Sequence, residues 1–292
     1  MIILMKSSLE LFGTFFMSKK NIGIQGIQGS FHHIVANEYY GSNIDIDEFQ
    51  TFEMMARQLA EGKSDASIMA IENSIAGSII PNYALIDEYN LSIVGEYYLK
   101  ISHNLLALEK QSIDDIKEVH SHPMALLQCR DFFKKHPKIK LVEDTDTALS
   151  AKKIHKNNVK GIAAIASTLA SHLYSLDVLA ENIQTIKNNE TRFVVLERST
   201  PNSKSVFNKA SIKFELDHKR GSLATILNVL SDCRMNLTKI QSMPKIETPW
   251  RYSFFVDITF ESLEDYLKAK SIIEIMAKDF KVLGEYKNSK ND

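Results

Sequence analysis

The chain has 292 residues, of which 44% are hydrophobic and 24% charged, an ordinary globular composition that is long enough for two modest domains. Its 35 Lys and Arg residues nearly balance 36 Asp and Glu residues, so no excess positive charge indicates a nucleic acid or an anionic membrane as partner. Cys129 and Cys233 belong to no paired motif, which argues against a disulfide framework and a structural zinc site. No apolar run approaches the ~20 residues of a membrane span, and we expect a cytoplasmic protein with reduced thiols.

Residues 1–20 are predicted to be an N-terminal extension. The apolar residues at its start are interrupted by Lys6 and Glu10, which makes the segment a weak match to a secretory signal. Met17 closely precedes the first clear strand, so the sequence leaves both Met1 and Met17 open as the start of translation.

Strands and helices are predicted to alternate from residue 21 to residue 198. The predicted strands are Ile22–Gln25, Ala66–Ile71, two within Ser92–Leu108, Glu118–His120, Ile139–Val142, Gly161–Ala166 and Thr191–Leu196. The predicted helices are Gly29–Tyr40, Pro81–Tyr89, Pro123–Lys135, Thr145–Lys156 (capped by Asp144 or Thr145) and Thr168–Tyr174. This alternation predicts an α/β domain with largely parallel sheets.

A second domain is predicted after a linker. Residues 199–208 are rich in Ser, Asn, Lys and Pro, which is typical of a linker. The elements that follow are predicted as strand Ala210–Leu216, helix Gly221–Cys233, strands Leu237–Ser242 and Tyr252–Ile258, helix Leu263–Ala277 and strand Val282–Tyr286. The order βαββαβ is the ferredoxin-like plan. It assigns residues 209–287 to this domain and 288–292 to a tail.

Four predicted strand ends in the first domain are followed by a small hydroxyl or amide residue. They are Gly29-Ser30, Asn73-Ser74, Ser121-His122 and Ser167-Thr168. Open backbone N–H groups at such points bind anions, and ligands of α/β sheets lie beyond the carboxyl ends of strands. The same residues are also ordinary helix caps, so an anion-binding cleft and simple capping both remain open.

Several other chemistries lack support. The glycines within Gly23–Gly29 are three residues apart and do not form a dinucleotide fingerprint. The segment Gly62-Lys63-Ser64 is similar to the end of a P-loop, but Arg57 occupies the position of the first glycine of that motif. Neither His32-His33 nor the pair in His120–His122 has a nearby carboxylate or cysteine to complete a metal site. The helical Cys129 is predicted to be a small core residue. We therefore expect no metal and no nucleotide.

The loop before the strand at Thr191 is unusually polar. Asn188, Asn189 and Glu190 lead directly into an apolar strand, and Thr191 and Arg192 are its first two residues. The planar guanidinium group matches a carboxylate of the substrate, but it would equally form a structural ion pair, and the residues alone leave both open.

Six motifs resemble, in order, those of the prephenate dehydratase family. They are Gly26–Phe31, Ile71–Gly77, Ser121–Cys129, Asp146–Ala148, Ala163–Ala166 and Thr191–Phe193. Met124 departs from the pattern, which has a glutamine at that position. The resemblance covers residues 21–198 and continues through an ACT domain to about residue 286. It implies a two-lobed catalytic domain similar to periplasmic binding proteins, with the site between the lobes.

The resemblance implies that the chain decarboxylates and dehydrates prephenate to phenylpyruvate in phenylalanine biosynthesis, without a metal or organic cofactor. The implied catalytic residues are Thr191, which would assist departure of the hydroxide, and Asn73 and Ser74, which would hold the carboxylates together with the loop at Gly29-Ser30. The implied substrate-binding residues are Gly29, Ser30, Phe31, Glu72, Gly77, His122, Thr168, Arg192 and Phe193. Two alternatives remain: dehydration of arogenate, the amino form of the substrate, and a non-catalytic sensor of small acids. Thr191 argues against the sensor, because binding alone has no special need for it.

The resemblance also implies that phenylalanine binds between ACT domains and slows the enzyme. The implied effector residues are Gly221, Ser222, Leu223, Ala224, Asn236, Leu237, Gln241 and Ser242. In the second ACT motif Gln241 replaces a glutamate and Met243 an arginine, so two opposite charges are absent together. Pairing of ACT domains implies a homodimer or tetramer, and a dimerisation domain without a ligand remains the alternative.

Overall fold

The computed structural model describes residues 19–198, 206–217, 219–245, 248 and 251–290. Nearly all of the predicted N-terminal extension and most of the predicted linker lie outside the described residues. Among the helices that are described, none is long and apolar enough to cross a membrane.

The elements of residues 20–197 follow the predicted alternation. In chain order they are β1 (Lys20–Gln25), α1 (Phe31–Tyr40), β2 (Ile44–Phe49), α2 (Phe52–Ala60), β3 (Ala66–Asn73), β4 (Gly77–Ser78), α3 (Ile80–Glu88), β5 (Ser92–Lys100), β6 (Asn104–Ala107), β7 (Glu118–Ser121), α4 (Pro123–Gln128), α5 (Arg130–Phe133), β8 (Lys140–Glu143), α6 (Thr147–Asn157), β9 (Ile162–Ala166), α7 (Thr168–Leu173), β10 (Asp177–Ala180) and β11 (Glu190–Glu197).

These strands form two sheets, each the centre of a lobe. The first has the order β2-β1-β3-β11-β5 with β4 beside β3, and the second has the order β10-β6-β9-β7-β8. The chain passes to the second lobe after β5 and returns with β11. The prediction of largely parallel sheets is wrong for part of each: β11 runs antiparallel to β3 and β5, and β6 to β9 and β10. A strand that returns from another lobe is not constrained by the helical crossover that makes neighbours parallel.

Local predictions fail at several places, and helix α2 and strands β2, β4 and β10 were not predicted at all. In the edge strand β2 the two isoleucines alternate with aspartates, and none of its six residues is buried. The cap of α6 is Asp146, whose carboxylate accepts a hydrogen bond from Leu149 N at 2.8 Å. Asp144 is instead held by Lys153 at 2.7 Å. The helix predicted at Pro123 breaks at Cys129, whose φ of −101° and ψ of 8° separate α4 from α5.

The C-terminal domain has the predicted order βαββαβ. Its elements are β12 (Lys209–Glu215), α8 (Ser222–Asp232), β13 (Asn236–Pro244), β14 (Tyr252–Thr259), α9 (Leu263–Met276) and β15 (Lys278–Tyr286). The strands form an antiparallel sheet in the order β13-β14-β12-β15, with β13 at one edge. Both helices pack on one face of this sheet through a shared apolar core.

The other face of the C-terminal sheet lies on the first lobe. Phe255, Leu283 and Tyr286 join one apolar core with residues of the first lobe such as Tyr83 and Ile93. The backbones approach closely at Gly284, where an added β-carbon would lie 2.2 Å from the carbonyl oxygen of Ile93. The C-terminal domain therefore rests directly against the sheet that contains β3 and β11.

Candidate active site

A cleft of about 430 Å³ opens between the two lobes, beyond the carboxyl ends of β1 and β3. This is where ligands bind in open α/β sheets. Its polar and aromatic lining residues are Gln25, Ser30, Phe31, His32, Asn73, Ser78, His103, His122, Gln128, Thr145, Asp146, Thr147, Asn189, Thr191 and Phe193.

Thr191 is the second residue of β11, and its hydroxyl faces the cleft. The residue is 8% exposed and lies directly opposite Asn73 in the β3–β11 register. The side-chain amide of Asn73 donates a hydrogen bond to Thr191 Oγ1 at 2.9 Å. The two residues therefore form a cross-strand pair at the floor of the cleft.

The orientation of the Asn73 amide is fixed by its neighbours. Its Oδ1 accepts hydrogen bonds from the backbone N–H groups of Ile75 at 3.0 Å and Ala76 at 2.9 Å. The nitrogen must therefore be the atom that faces Thr191, where it can only donate. Because a lone pair of Thr191 Oγ1 is already used, the hydroxyl hydrogen of Thr191 is directed to another acceptor. That acceptor can be a bound molecule in the cleft.

The hydrogen-bond chain continues from Asn73 into the second lobe. Asn73 Nδ2 also donates to Asn189 Oδ1 at 2.7 Å, and Asn189 Nδ2 donates to Gln128 Oε1 at 3.0 Å. Gln128 Oε1 is 2.8 Å from His103 Nε2. Burial lowers the pKa of His103 and keeps the ring neutral. We missed Asn189 and His103 as site residues, although the polar loop at Asn188 gave a signal for Asn189.

Five of the predicted substrate-binding residues line the cleft. They are Ser30, Phe31, Gly77, His122 and Phe193. Gly29 lies just behind them, with a left-handed φ of 91°, and its carbonyl accepts a hydrogen bond from Ser167 Oγ at 2.6 Å. Gly29 thus shapes the turn before α1 and ties the two lobes together.

Ser74 and Thr168 do not line the cleft, so their predicted roles there are corrected. Ser74 Oγ accepts a hydrogen bond from Glu190 N at 2.9 Å, and Ser74 N donates to Glu190 O at 2.8 Å. Ser74 therefore joins the ends of β3 and β11 beside the Asn73–Thr191 pair. Thr168 Oγ1 accepts a hydrogen bond from Asn104 Nδ2 at 3.1 Å within the second lobe.

Arg192 and Glu72 lie on the opposite face of the sheet from the cleft, which contradicts their prediction as substrate ligands. Side chains alternate along a strand, so the neighbours of Thr191 and Asn73 point away from the cleft. Arg192 is 3% exposed, donates to Glu96 Oε2 at 2.7 Å and also pairs with Asp257 of β14. Glu72 pairs with Lys239 of β13 at 2.6 Å. The structural ion pair was the correct alternative for Arg192.

The cleft contains no lysine or arginine side chain among the residues that the structure describes. None of its lining residues is Lys or Arg. Burial raises the pKa of the Asp146 carboxyl group, whose other contacts include the backbone of α6. Burial also lowers the pKa of His32 to about 3, so this ring is neutral. An anionic ligand would therefore be held by neutral donors and by the backbone at the start of α1.

The prediction of Cys129 as a core residue is confirmed, and the absence of a metal stays a prediction. Cys129 is completely buried, and burial raises the pKa of its thiol to about 12, which fits a core residue. Within the described part of the chain, no group of three or more His, Cys, Asp or Glu residues is arranged to hold a metal ion. The absence of a cofactor stays a prediction.

The predicted effector residues fall into two groups. Gly221, with a left-handed φ of 84°, caps α8, and Ser222 and Leu223 line a small cavity of about 170 Å³ near Arg251. Ala224 is exposed on α8. The residues Asn236, Leu237, Gln241 and Ser242 lie on the edge strand β13 and do not line that cavity.

Comparison with known proteins decides the family. The model of the prephenate dehydratase family matches residues 22–201. The chain belongs to the prephenate dehydratase family. It is therefore an enzyme, a lyase that removes water from its substrate.

Curated relatives of the family resemble the chain along most of its length. The bifunctional chorismate mutase/prephenate dehydratase of Buchnera aphidicola is 33% identical over 92% of this chain and 71% of its own length. Arogenate dehydratase/prephenate dehydratase 2 of Arabidopsis thaliana is 36% identical over 92% of this chain and 73% of its own.

Solved structures share the fold over nearly the whole chain. A prephenate dehydratase from Arthrobacter aurescens in complex with L-Phe gives a TM-score of 0.84 at 24% identity, covering 92% of this chain and 90% of that one. GqqA, described as a novel type of quorum quenching acylase, gives a TM-score of 0.84 at 25% identity, covering 92% of this chain and 98% of that one.

Proposed function

We propose that the cleft converts prephenate to phenylpyruvate, with Thr191 at the departing hydroxide and Asn73 as the group that orients Thr191. Loss of carbon dioxide and hydroxide together makes the ring aromatic, which supplies the driving force. Hydroxide is a poor leaving group, so a hydrogen bond to the departing oxygen lowers the barrier. The pKa of a threonine hydroxyl group is too high for outright donation, so it stabilises the oxygen or relays a proton.

The observation that carries this proposal is the hydrogen bond that Thr191 Oγ1 accepts from Asn73, which leaves the hydroxyl hydrogen to be donated elsewhere. Asn73 Nδ2 occupies one lone pair of Thr191 Oγ1 at 2.9 Å, and two backbone N–H groups prevent the amide from turning. A hydroxyl group that is fixed as a donor before the substrate arrives needs no reorganisation during the reaction. A binding protein would have no use for this arrangement, so it supports catalysis.

The ring carboxylate is suited to a cleft whose described lining has no lysine or arginine. Decarboxylation disperses its charge, and a surrounding ammonium or guanidinium group would stabilise the starting carboxylate and raise the barrier. The side chains of Ser30, His122 and Asn189 line the cleft and would position the substrate. We therefore assign binding to Ser30, Phe31, Gly77, His122 and Phe193.

Arogenate is a second candidate substrate, favoured by Asp146. This carboxylate lines the cleft, and no Lys or Arg joins it among the lining residues that are described. Arogenate carries an ammonium group where prephenate has a keto group, so it would pair with a carboxylate that repels prephenate. The Arabidopsis relative is named for both substrates, so the two activities occur together in this family.

We assign residues 21–198 to a catalytic domain with two periplasmic-binding-protein-like lobes, 199–208 to a linker and 209–287 to an ACT domain that binds phenylalanine. The βαββαβ order and the glycine cap of α8 at Gly221 support the ACT assignment. The solved Arthrobacter protein of the same fold holds L-Phe. Paired ACT domains would make the enzyme a homodimer or tetramer.

The acylase activity of GqqA has less support in this cleft. Acyl transfer to an enzyme needs a hydroxyl or thiol group activated by a neighbouring base. Among the described cleft residues, no serine or cysteine side chain is hydrogen-bonded to a histidine ring or a carboxylate.

The decisive assay supplies purified enzyme with prephenate and with arogenate in parallel and follows the formation of phenylpyruvate and phenylalanine. We expect turnover of prephenate, and the ratio of kcat/KM for the two acids gives the substrate preference of the enzyme. Asp146→Asn should shift that ratio towards prephenate. Turnover of neither acid would refute the proposed function.

A further inference from the structure

Two adjacent cross-strand pairs of β3 and β11 face opposite sides of the sheet. Thr191 lies opposite Asn73 and faces the cleft, and Arg192 lies opposite Glu72 and faces the C-terminal domain. The catalytic pair and the contacts with the C-terminal domain are thus on the two faces of the same strands, one residue apart. A movement of either outer residue would be transmitted through the backbone to its neighbour.

Glu72 is held by a single lysine of the C-terminal domain. Lys239 Nζ is 2.6 Å from Glu72 Oε1 and donates to Ser78 Oγ at 2.7 Å. It also lies 5.7 Å from the centre of the Tyr83 ring. Only 8% of the Lys239 side chain is exposed, so these contacts hold the ammonium group in place.

Lys239 contacts both strands of the β3–β4 hairpin, which contains Asn73. Glu72 pairs with Ser78, and Asn73 with Gly77, in the short β3–β4 ladder. Lys239 contacts both members of the outer rung, while Asn73 belongs to the inner rung and Ser78 also lines the cleft. The lysine therefore fixes the position from which Asn73 reaches Thr191.

The strand that contains Lys239 also contains predicted effector residues. Gln241 follows two positions later on β13, on the same half-buried side, and Ser242 is exposed beside it. Because β13 is an edge strand, a ligand on its outer side would displace it more easily than an inner strand. The most direct contact from this strand to the hairpin of Asn73 is the ammonium group of Lys239.

We propose that Lys239 is a positioning residue: it holds the hairpin of Asn73 in its active arrangement, and phenylalanine at β13 acts on turnover by shifting this lysine. The regulatory half of this inference rests on the proposed effector site. The positioning half needs only dehydratase activity.

The test compares Lys239→Met with Lys245→Met. Lys245 follows the same strand and pairs with Glu215 inside the C-terminal domain at 2.7 Å, so it is a matched control. We expect Lys239→Met to lower kcat by about tenfold or more with KM within about threefold, because misplacing a catalytic group costs rate more than affinity. Lys245→Met should retain wild-type kcat, and Lys239→Arg should restore most of the lost rate.

Phenylalanine separates the two halves of the proposal. In Lys239→Met it should still raise the melting temperature but no longer lower kcat. If Lys239→Met fails to fold, Glu72→Gln removes the charge from the other partner and should lower kcat in the same way. Wild-type kcat in the folded Lys239→Met or Glu72→Gln enzyme overturns the positioning role. Undiminished inhibition of Lys239→Met overturns the regulatory role, and an inactive wild-type enzyme refutes the proposed function itself.

Discussion

At the scale of single residues, the ability of the Thr191 hydroxyl group to donate a hydrogen bond to the substrate depends on the amide of Asn73. The amide donates to Thr191 Oγ1, and this leaves the hydroxyl hydrogen for the substrate. An acceptor at the same place would attract that hydrogen instead. The identity of residue 73 therefore decides whether Thr191 is a donor to the cleft.

Asn73→Asp tests this dependence with little change in shape. Its carboxylate can still accept the hydrogen bonds from Ile75 and Ala76, but its second oxygen would accept one from Thr191. We expect kcat to fall by about a hundredfold with KM nearly unchanged, the loss typical of one transition-state hydrogen bond. Steady-state kinetics on the folded variant would contradict the account if kcat stayed within a few-fold of the wild type.

His32 should make the stability of the protein depend on pH. Burial lowers the pKa of His32 to about 3, whereas an unfolded histidine titrates near 6.5. Between these two values the unfolded chain binds one more proton, so stability is complete above about pH 6.5 and falls as the pH decreases.

Replacing His32 removes this proton from the balance. In His32→Gln the amide can still accept a hydrogen bond from Ala70 N. Between pH 6.5 and 4 the free energy of unfolding should fall less steeply with decreasing pH than in the wild type, and the two slopes should differ by about 1.4 kcal/mol per pH unit. Denaturant unfolding at several pH values measures both slopes. Equal slopes in the two proteins would show that His32 does not stay neutral.

The sequence predicted the residues of the cleft better than their orientation. Motifs placed Asn73 and Thr191 together, and the structure puts them opposite each other in register. They also suggested Glu72 and Arg192, because a motif does not show which face of a strand a side chain occupies. His103 was missed because its role depends on a tertiary contact with Gln128, 25 residues later in the chain.

At the scale of elements, a buried ionic network joins β11 to the C-terminal sheet. Arg192 pairs with Glu96 and Asp257, and Lys209 pairs with Glu96 at 2.9 Å, with all four side chains nearly inaccessible to water. Asp257 holds its charge because Arg192 lowers the pKa of its carboxyl group against the effect of burial. Removing Arg192 would leave the Asp257 carboxylate buried without its ion-pair partner, while Glu96 would keep Lys209.

Arg192→Met should therefore destabilise the protein by about 3–5 kcal/mol. Lys134→Met, which removes an exposed ion pair with Asp131, is the control and should leave the unfolding midpoint unchanged. Denaturant unfolding of both variants gives the comparison. An Arg192→Met protein as stable as the control would mean that the network contributes specificity instead of stability.

Most elements with a long apolar pattern were predicted, although the amphipathic helix α2 was missed, and strands were missed where tertiary contacts define them. The buried strand β3 and the amphipathic helix α8 were found within two residues. The edge strands β2 and β10 were not, because each has one partner and a partly polar sequence. The antiparallel direction of β11 depends on the path of the chain through the second lobe, which no local pattern contains.

At the scale of the whole molecule, phenylalanine should couple the C-terminal domain to the cleft. We expect millimolar phenylalanine to lower kcat and raise the melting temperature, with alanine as the inactive control. A ligand at one hundred times its Kd stabilises by about 2.7 kcal/mol. Sedimentation of the free enzyme should show a homodimer or tetramer. If phenylalanine changes neither activity nor melting temperature, the domain is a structural dimerisation device.

The central claim is that this chain dehydrates prephenate through the Thr191 hydroxyl, and one comparison tests it most directly. Thr191→Val removes that hydroxyl, and Thr168→Val removes the threonine hydroxyl that accepts a hydrogen bond from Asn104 away from the cleft. Formation of phenylpyruvate from prephenate should fall about a hundredfold in Thr191→Val, about 3 kcal/mol, with little change in KM, and stay near wild type in Thr168→Val. Near-normal turnover by Thr191→Val would contradict the account.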